Sequence, residues 1–216
     1  MSRAYDEIYL EDAMRNLGAS FEYAKRNCHI ELDDFYILFL NSGIAHKFET
    51  GDPKYIIGMS GVELALKVLG KEDSHTHIDG NPDYGYSCEY WCGWMLAYVQ
   101  WYFGIRFKYL HYYLKMTDLE RLYAILHETS ERKALEVICE NIRNKDLESR
   151  LQQIRIKNGL SQKQLAVKSD VSLRIIQQYE QKKRDINKAS VSSLLSVSRV
   201  LNCDIEDLME WDFVVD

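Results

Sequence analysis

Apolar residues recur at helical spacing along most of the chain. Residues 7–27 place Ile8, Leu10, Met14, Leu17, Phe21 and Ala24 two to four positions apart, which predicts an amphipathic helix. A second helix opens at Asp33 and Asp34 in "ELDDFYILFLNSGIAHKFE" and ends near Gly43 or Phe48. "ETGDPKYIIGMSG", punctuated by Gly51, Pro53, Gly58 and Gly61, reads as loop or short extended chain. Ser60 is a fitting cap for "GVELALKVL", with Glu63 completing a capping box. Residues 70–87, polar and rich in breakers, read as a mobile loop. Further helices are expected at about 106–114, at 117–127 with Thr117 as cap, and at 130–143 with Ser130 as cap. The fold class is therefore all-α. "NKDLES", 144–149, is the best boundary, separating a domain at 1–148 from one at 149–216.

The stretch between Tyr84 and Tyr113 departs from a simple two-faced pattern, because it holds 13 of the chain's 26 aromatic residues. Trp91, Trp94, Tyr98 and Trp101 fall on one face of a helix. They suit a hydrophobic core, since aromatic side chains bury large areas. They also suit a partner-binding surface or a small-molecule pocket. "YWCGWMLAYVQWYFG", residues 90–104, is too short for a bilayer span and contains Gln100 and two glycines, so it reads as a buried helix.

From residue 150 the pattern changes again. A first helix of this region runs from about 149 to 158 and stops at Gly159. Ser161 caps a second, with Gln164 three positions on, and this helix ends near Ser169. Asp170-Val171-Ser172 makes a three-residue turn into a third helix at about 173–180. Leu165, Val171, Ile176 and Tyr179 are the apolar positions that hold the pair, and Ala166 is small where the helices cross. This is the helix-turn-helix pattern.

Charge sharpens that reading. The overall net of −6 argues against a nucleic-acid partner, but it is unevenly spread. Residues 1–149 carry 16 Lys/Arg and 24 Asp/Glu, residues 150–190 carry ten and three, and residues 191–216 carry one and six. A segment of +7 set between acidic stretches is the electrostatic footprint of a small nucleic-acid-binding module.

"LSQKQLA", the "VS" of the turn, "I..YE" and the later "VSSLLSVSRVLNCDIEDLME" make residues 149 to about 210 resemble the XRE family of Cro and lambdoid repressors. The resemblance implies a five-helix repressor-like domain that binds a double-stranded DNA operator, in a homodimer. Asp170 stands where that family often has glycine. Residue by residue, the resemblance implies that Leu173, Arg174 and Gln178 face base edges, with Gln177 a further candidate. It implies phosphate contacts for Gln162 and, after the recognition helix, for Gln181, Lys182, Lys183 and Arg184. Arg155 and Glu180 match a pair that braces the recognition helix.

Other chemistry finds less support. His75, His77, Cys88 and Cys92 could be written as a zinc set, but their spacing matches no common zinc module, and no metal or cofactor is assigned. "SGVELA" and "GMSG" lack the context of a nucleophile elbow, no P-loop or dinucleotide fingerprint occurs, and His111, His127 and Glu128 suggest only exposed helix ends, so no enzymatic activity is expected. Five scattered cysteines and an acidic N-terminus without an apolar core predict reduced thiols in a cytoplasmic protein with no membrane role. For the first domain three roles remain open: binding a protein toxin, as in the antitoxins and toxin–antitoxin regulators that this layout resembles; sensing a small ligand; or dimerisation.

Overall fold

The computed structural model describes residues 3–71, 87–145 and 147–215. The expected loop at 70–87 and the histidines at 75 and 77 fall wholly or largely outside these. Among the described residues the regular structure is entirely helical, and no helix is long and apolar enough to cross a membrane. The chain forms two compact units. One runs up to Asn144 and takes in Phe213 and the residues after it, and the other is Lys145–Asp212. The 149–216 grouping thus shifts by a few residues at each end.

In the first unit, α1 (Leu10–Arg26) lies between α5 (Gly61–Val68) and α6 (Cys88–Phe103). The contacts are close because glycines stand at the crossings. A Cβ on Gly93 would lie 2.7 Å from the Leu17 carbonyl oxygen, and one on Gly18 would lie 2.9 Å from that of Tyr90. On the other side a Cβ on Gly61 would come within 2.6 Å of the Asn16 carbonyl oxygen. Backbone therefore approaches backbone on both flanks of α1. α6 is largely buried because α8 and α9 pack against it in addition to α1. Within its aromatic stripe Trp91 and Trp101 are buried, whereas Trp94 and Tyr98 are half-exposed.

The continuous segment after α1 is divided in two. α2 (Leu32–Asn41) stops, Gly43 adopts φ +75°, and α3 (Ile44–Glu49) begins. Residues 53–56, expected to be loop or extended, instead form a helical turn, α4 (Pro53–Ile56). Asp52 caps it by accepting from the Lys54 N–H at 3.1 Å, and Pro53 supplies a preset φ at the first position. Ile8 does not join the core stripe. It lies in a short 3₁₀ turn, Glu7–Tyr9, and is 73% exposed.

Phe21, Phe35, Phe39, Phe48 and Phe107 meet edge-to-face, with centroids 4.9 Å apart for Phe21–Phe35 and 5.2 Å for Phe39–Phe107. Phe107 opens α7 (Phe107–Tyr113), and its N–H is accepted by the buried Glu49 carboxylate at 2.8 Å. α8 (Met116–Leu126) is capped from afar: Asp33 accepts from the N–H groups of Met116 and Thr117 at 2.8 and 3.3 Å. Thr117 therefore lies inside the helix rather than capping it. α9 (Glu131–Arg143) starts from Ser130, whose hydroxyl accepts from the Lys133 N–H at 3.3 Å. Phe213 packs against Phe103 and Tyr113, with centroids 5.1 and 5.0 Å away.

Candidate nucleic-acid interface

The second unit contains α10 (Arg150–Lys157), α11 (Gln162–Ser169), α12 (Leu173–Glu180), a 3₁₀ turn (Ile186–Lys188), α13 (Val191–Leu201) and α14 (Ile205–Leu208). Serines set the entry of the first four helices. Ser149, Ser161, Ser172 and Ser190 accept from backbone N–H groups three residues on, at 3.1, 3.1, 3.3 and 3.2 Å. At Ser161 the box is reciprocal, since Gln164 Oε1 accepts from the Ser161 N–H at 2.8 Å.

α11 ends at Asp170, which adopts the left-handed conformation (φ 54°, ψ 29°) that the tight turn requires. Val171 then turns inward, and with Leu165, Ile176 and Tyr179 it joins the buried core, which Leu194, Leu201 and Leu208 complete. This core fixes the angle between α11 and α12. It leaves the opposite face of α12 pointing outward.

A polar brace locks that arrangement. The Arg155 guanidinium donates twice to Glu180, from Nε to Oε1 at 2.6 Å and from a terminal nitrogen to Oε2 at 2.9 Å. Another terminal nitrogen of Arg155 donates to the Leu160 carbonyl at 2.7 Å. Gln162 Nε2 donates to the same Glu180 carboxylate at 2.7 Å. The side chains of Arg155 and Glu180 are only 11% and 2% exposed, so their charges meet with little water between them. The hydrogen bonds to Glu180 hold the Arg155 pKa above its ordinary value. The brace ties α10, the start of α11 and the end of α12 into one body.

The outward face of α12 carries the residues expected to face base edges. Leu173 is 37% exposed, Arg174 is exposed, and Gln177 and Gln178 are half-buried. Among the described residues, the side chains of Arg174, Gln177 and Gln178 form no hydrogen bond. Gln181, Lys183 and Arg184 are exposed beyond the helix, with the Arg184 guanidinium 5.7 Å from the Tyr179 ring centre. Two of the expected phosphate ligands have other partners here. The Gln162 amide is held by Glu180, and the Lys182 ammonium donates to the Leu147 carbonyl at 2.7 Å. Lys182 itself sits at φ 53°. Gln162 as a member of the brace was missed in the sequence, although its position beside the Ser161 cap was legible.

These helices define the unit as a helix-turn-helix fold, the class of small domains that place a second helix in a DNA groove. Residues 151–208 match the family model described as helix-turn-helix, and they form a helix-turn-helix domain of the XRE/Cro type. No curated protein and no solved structure matches the chain. The domain is of a regulatory, DNA-binding kind. Among the described residues no group of three or more His, Cys, Asp or Glu side chains is placed to hold a metal ion.

Proposed function

We propose that the protein is a sequence-specific transcriptional regulator that reads double-stranded DNA with α12 and acts as a repressor. The observation that carries this reading is a helix face with unbonded Arg174, Gln177 and Gln178 side chains on a unit braced by Arg155 and Glu180. Arg174 would fork onto guanine, Gln178 or Gln177 onto adenine, and Leu173 would meet a thymine methyl. Gln181, Lys182, Lys183 and Arg184 would follow the phosphates. Gln162 would contribute there through the positive end of α11. A homodimer would place two such helices about 34 Å apart, one turn of DNA.

The test is an anisotropy titration against DNA upstream of the protein's own gene and against a scrambled duplex. The Arg174→Ala/Gln178→Ala variant should keep its fold and bind both duplexes alike. Undiminished discrimination by that variant would refute the assignment.

For the first unit, a pocket among Tyr90, Trp91 and Trp94 favours a ligand-sensing role that modulates DNA affinity. The antitoxin or autoregulator reading would instead give this unit a protein toxin as partner. It predicts a stable complex with the product of an adjacent gene on co-expression.

A further inference from the structure

The first unit holds a pocket of about 340 Å³ lined by Arg15, Tyr90, Trp91, Trp94, His127 and Glu131, among others. This volume falls at the small end of the range for ligand sites, about 300–1,000 Å³. Its aromatic wall is held in place by ring-to-ring contacts. Tyr90 and Trp94 stack with centroids 5.9 Å apart and planes 28° apart. Trp91 meets the edge of Tyr123 at 5.8 Å, and Tyr123 stacks on His127 at 4.6 Å. His127 Nδ1 donates to the Tyr123 carbonyl at 2.9 Å, which fixes the imidazole's orientation.

The charges around this wall decide what it can hold. Arg15 is the cation among the lining residues named, and it is already matched twice: its terminal nitrogens meet Glu11 at 2.9 Å and Asp12 at 2.8 Å. That trio carries a surplus negative charge. Glu131, which lines the pocket and is exposed, adds another. The neighbouring Arg132 is directed elsewhere, toward the Tyr102 hydroxyl at 3.3 Å and Glu136 at 3.7 Å. Among the described lining residues, an anion would face the Glu131 carboxylate and a guanidinium already paired with two acids. A cation would meet the Glu131 carboxylate and the negative faces of tryptophan and tyrosine rings.

We infer that this pocket binds a small aromatic or quaternary ammonium cation, held between the Tyr90–Trp94 wall and Glu131. Binding stands on the pocket alone. Only its effect on DNA rests on the sensing role proposed above.

The probe is benzyltrimethylammonium, titrated into the full-length protein by tryptophan fluorescence and calorimetry, with benzenesulfonate as the anionic counterpart of similar size. The ammonium should bind at least tenfold more tightly than the sulfonate. Trp94→Ala should weaken it roughly 3- to 30-fold, the range expected for losing one cation–π contact. Glu131 is exposed, so Glu131→Gln keeps the fold, and it should weaken the ammonium several-fold while leaving sulfonate binding no weaker. Equal affinity for the two probes, no binding of the ammonium at about 10 mM, or an unchanged affinity in Glu131→Gln would overturn the inference. If the ammonium binds as expected and operator affinity stays constant, the pocket stands and the sensing role falls.

Discussion

Replacing Arg155 by alanine tests whether the brace, rather than the apolar core alone, holds α12 against α10 and α11. The substitution removes two hydrogen bonds to Glu180, at 2.6 and 2.9 Å, and leaves that carboxylate with Gln162 as its remaining side-chain donor. The Glu180 side chain is 2% exposed, so water does not readily take the place of the guanidinium. Removing one partner of a buried ion pair costs about 3–5 kcal/mol. Domain stabilities run at roughly 0.05–0.15 kcal/mol per residue, which puts a unit the size of Lys145–Asp212 on the order of 3–10 kcal/mol. Arg155→Ala should therefore bring this unit close to unfolding at ordinary temperature. Hydrogen exchange on the full-length protein separates the units: protection should collapse within α10–α13 and persist in α1 and α6. The double variant Arg155→Met/Glu180→Leu removes both charges together, and it should recover most of the protection because no uncompensated charge remains. A loss below about 0.5 kcal/mol in Arg155→Ala, the range of an ordinary surface change, would refute the argument.

Gly93→Ala should destabilise the first unit by about 1–3 kcal/mol, because its Cβ would lie 2.7 Å from a backbone oxygen that cannot turn aside. Thermal melts followed by tryptophan emission would show it, and an unchanged Tm would mean that α1 and α6 can slide apart freely. Burial and the nearby Lys115 ammonium lower the His111 pKa from 6.5, so the folded unit resists a proton that the unfolded chain accepts. Its stability contribution is complete above about pH 6.5 and is lost as pH falls; urea midpoints from pH 7.5 to 5 should decline less steeply in His111→Gln than in the parent. Lys183→Ala and Arg184→Ala should each reduce the slope of log K against log salt by about one while leaving sequence preference intact, as measured by anisotropy at several salt concentrations.

How much the chain reveals in advance depends on whether a signal is local. The helix-turn-helix was legible because its cues are neighbours. Ser161 and Gln164 close a box over three residues, and Val171, Ile176 and Tyr179 fall within two turns of one helix. The turn at Asp170 was legible too, since aspartate tolerates the left-handed region. The first unit hides more because its decisive contacts join distant positions. Asp33 reads as the start of its own helix and also caps one that begins at Met116. Gly61 reads as loop punctuation and Gly18 and Gly93 carry no local signal, whereas each stands where two elements approach too closely for a side chain. Pro53 reads as a breaker, yet after Asp52 it starts a helical turn. Likewise, the aromatic stripe suited a core first and a partner surface or pocket second, and nothing local linked it to Arg15 on α1 or to Glu131 at the start of α9.

The ten cations of residues 150–190 are not equally placed to meet DNA. Arg155 is committed to Glu180, whereas Lys182 bonds only the neutral Leu147 carbonyl and keeps its charge at the surface. Lys188 pairs with Asp185 at 3.4 Å, and Arg150 donates to the Asp207 carbonyl at 3.2 Å. Of the ten cations in the segment, Lys157, Lys163, Lys168, Arg174, Lys182, Lys183 and Arg184 remain exposed without an ion-pair role. Each phosphate neutralised contributes about 0.9 to the salt slope, so these cations can draw on no more than roughly six units of it. Residues 1–149 and 191–216 are acidic and add no attraction. With non-specific binding limited in this way, discrimination falls on direct contacts to base edges, where a good bidentate pair is worth about 1–3 kcal/mol. That is the contribution available to Arg174 and Gln178. It also explains why a braced recognition helix matters more here than a larger positive surface would.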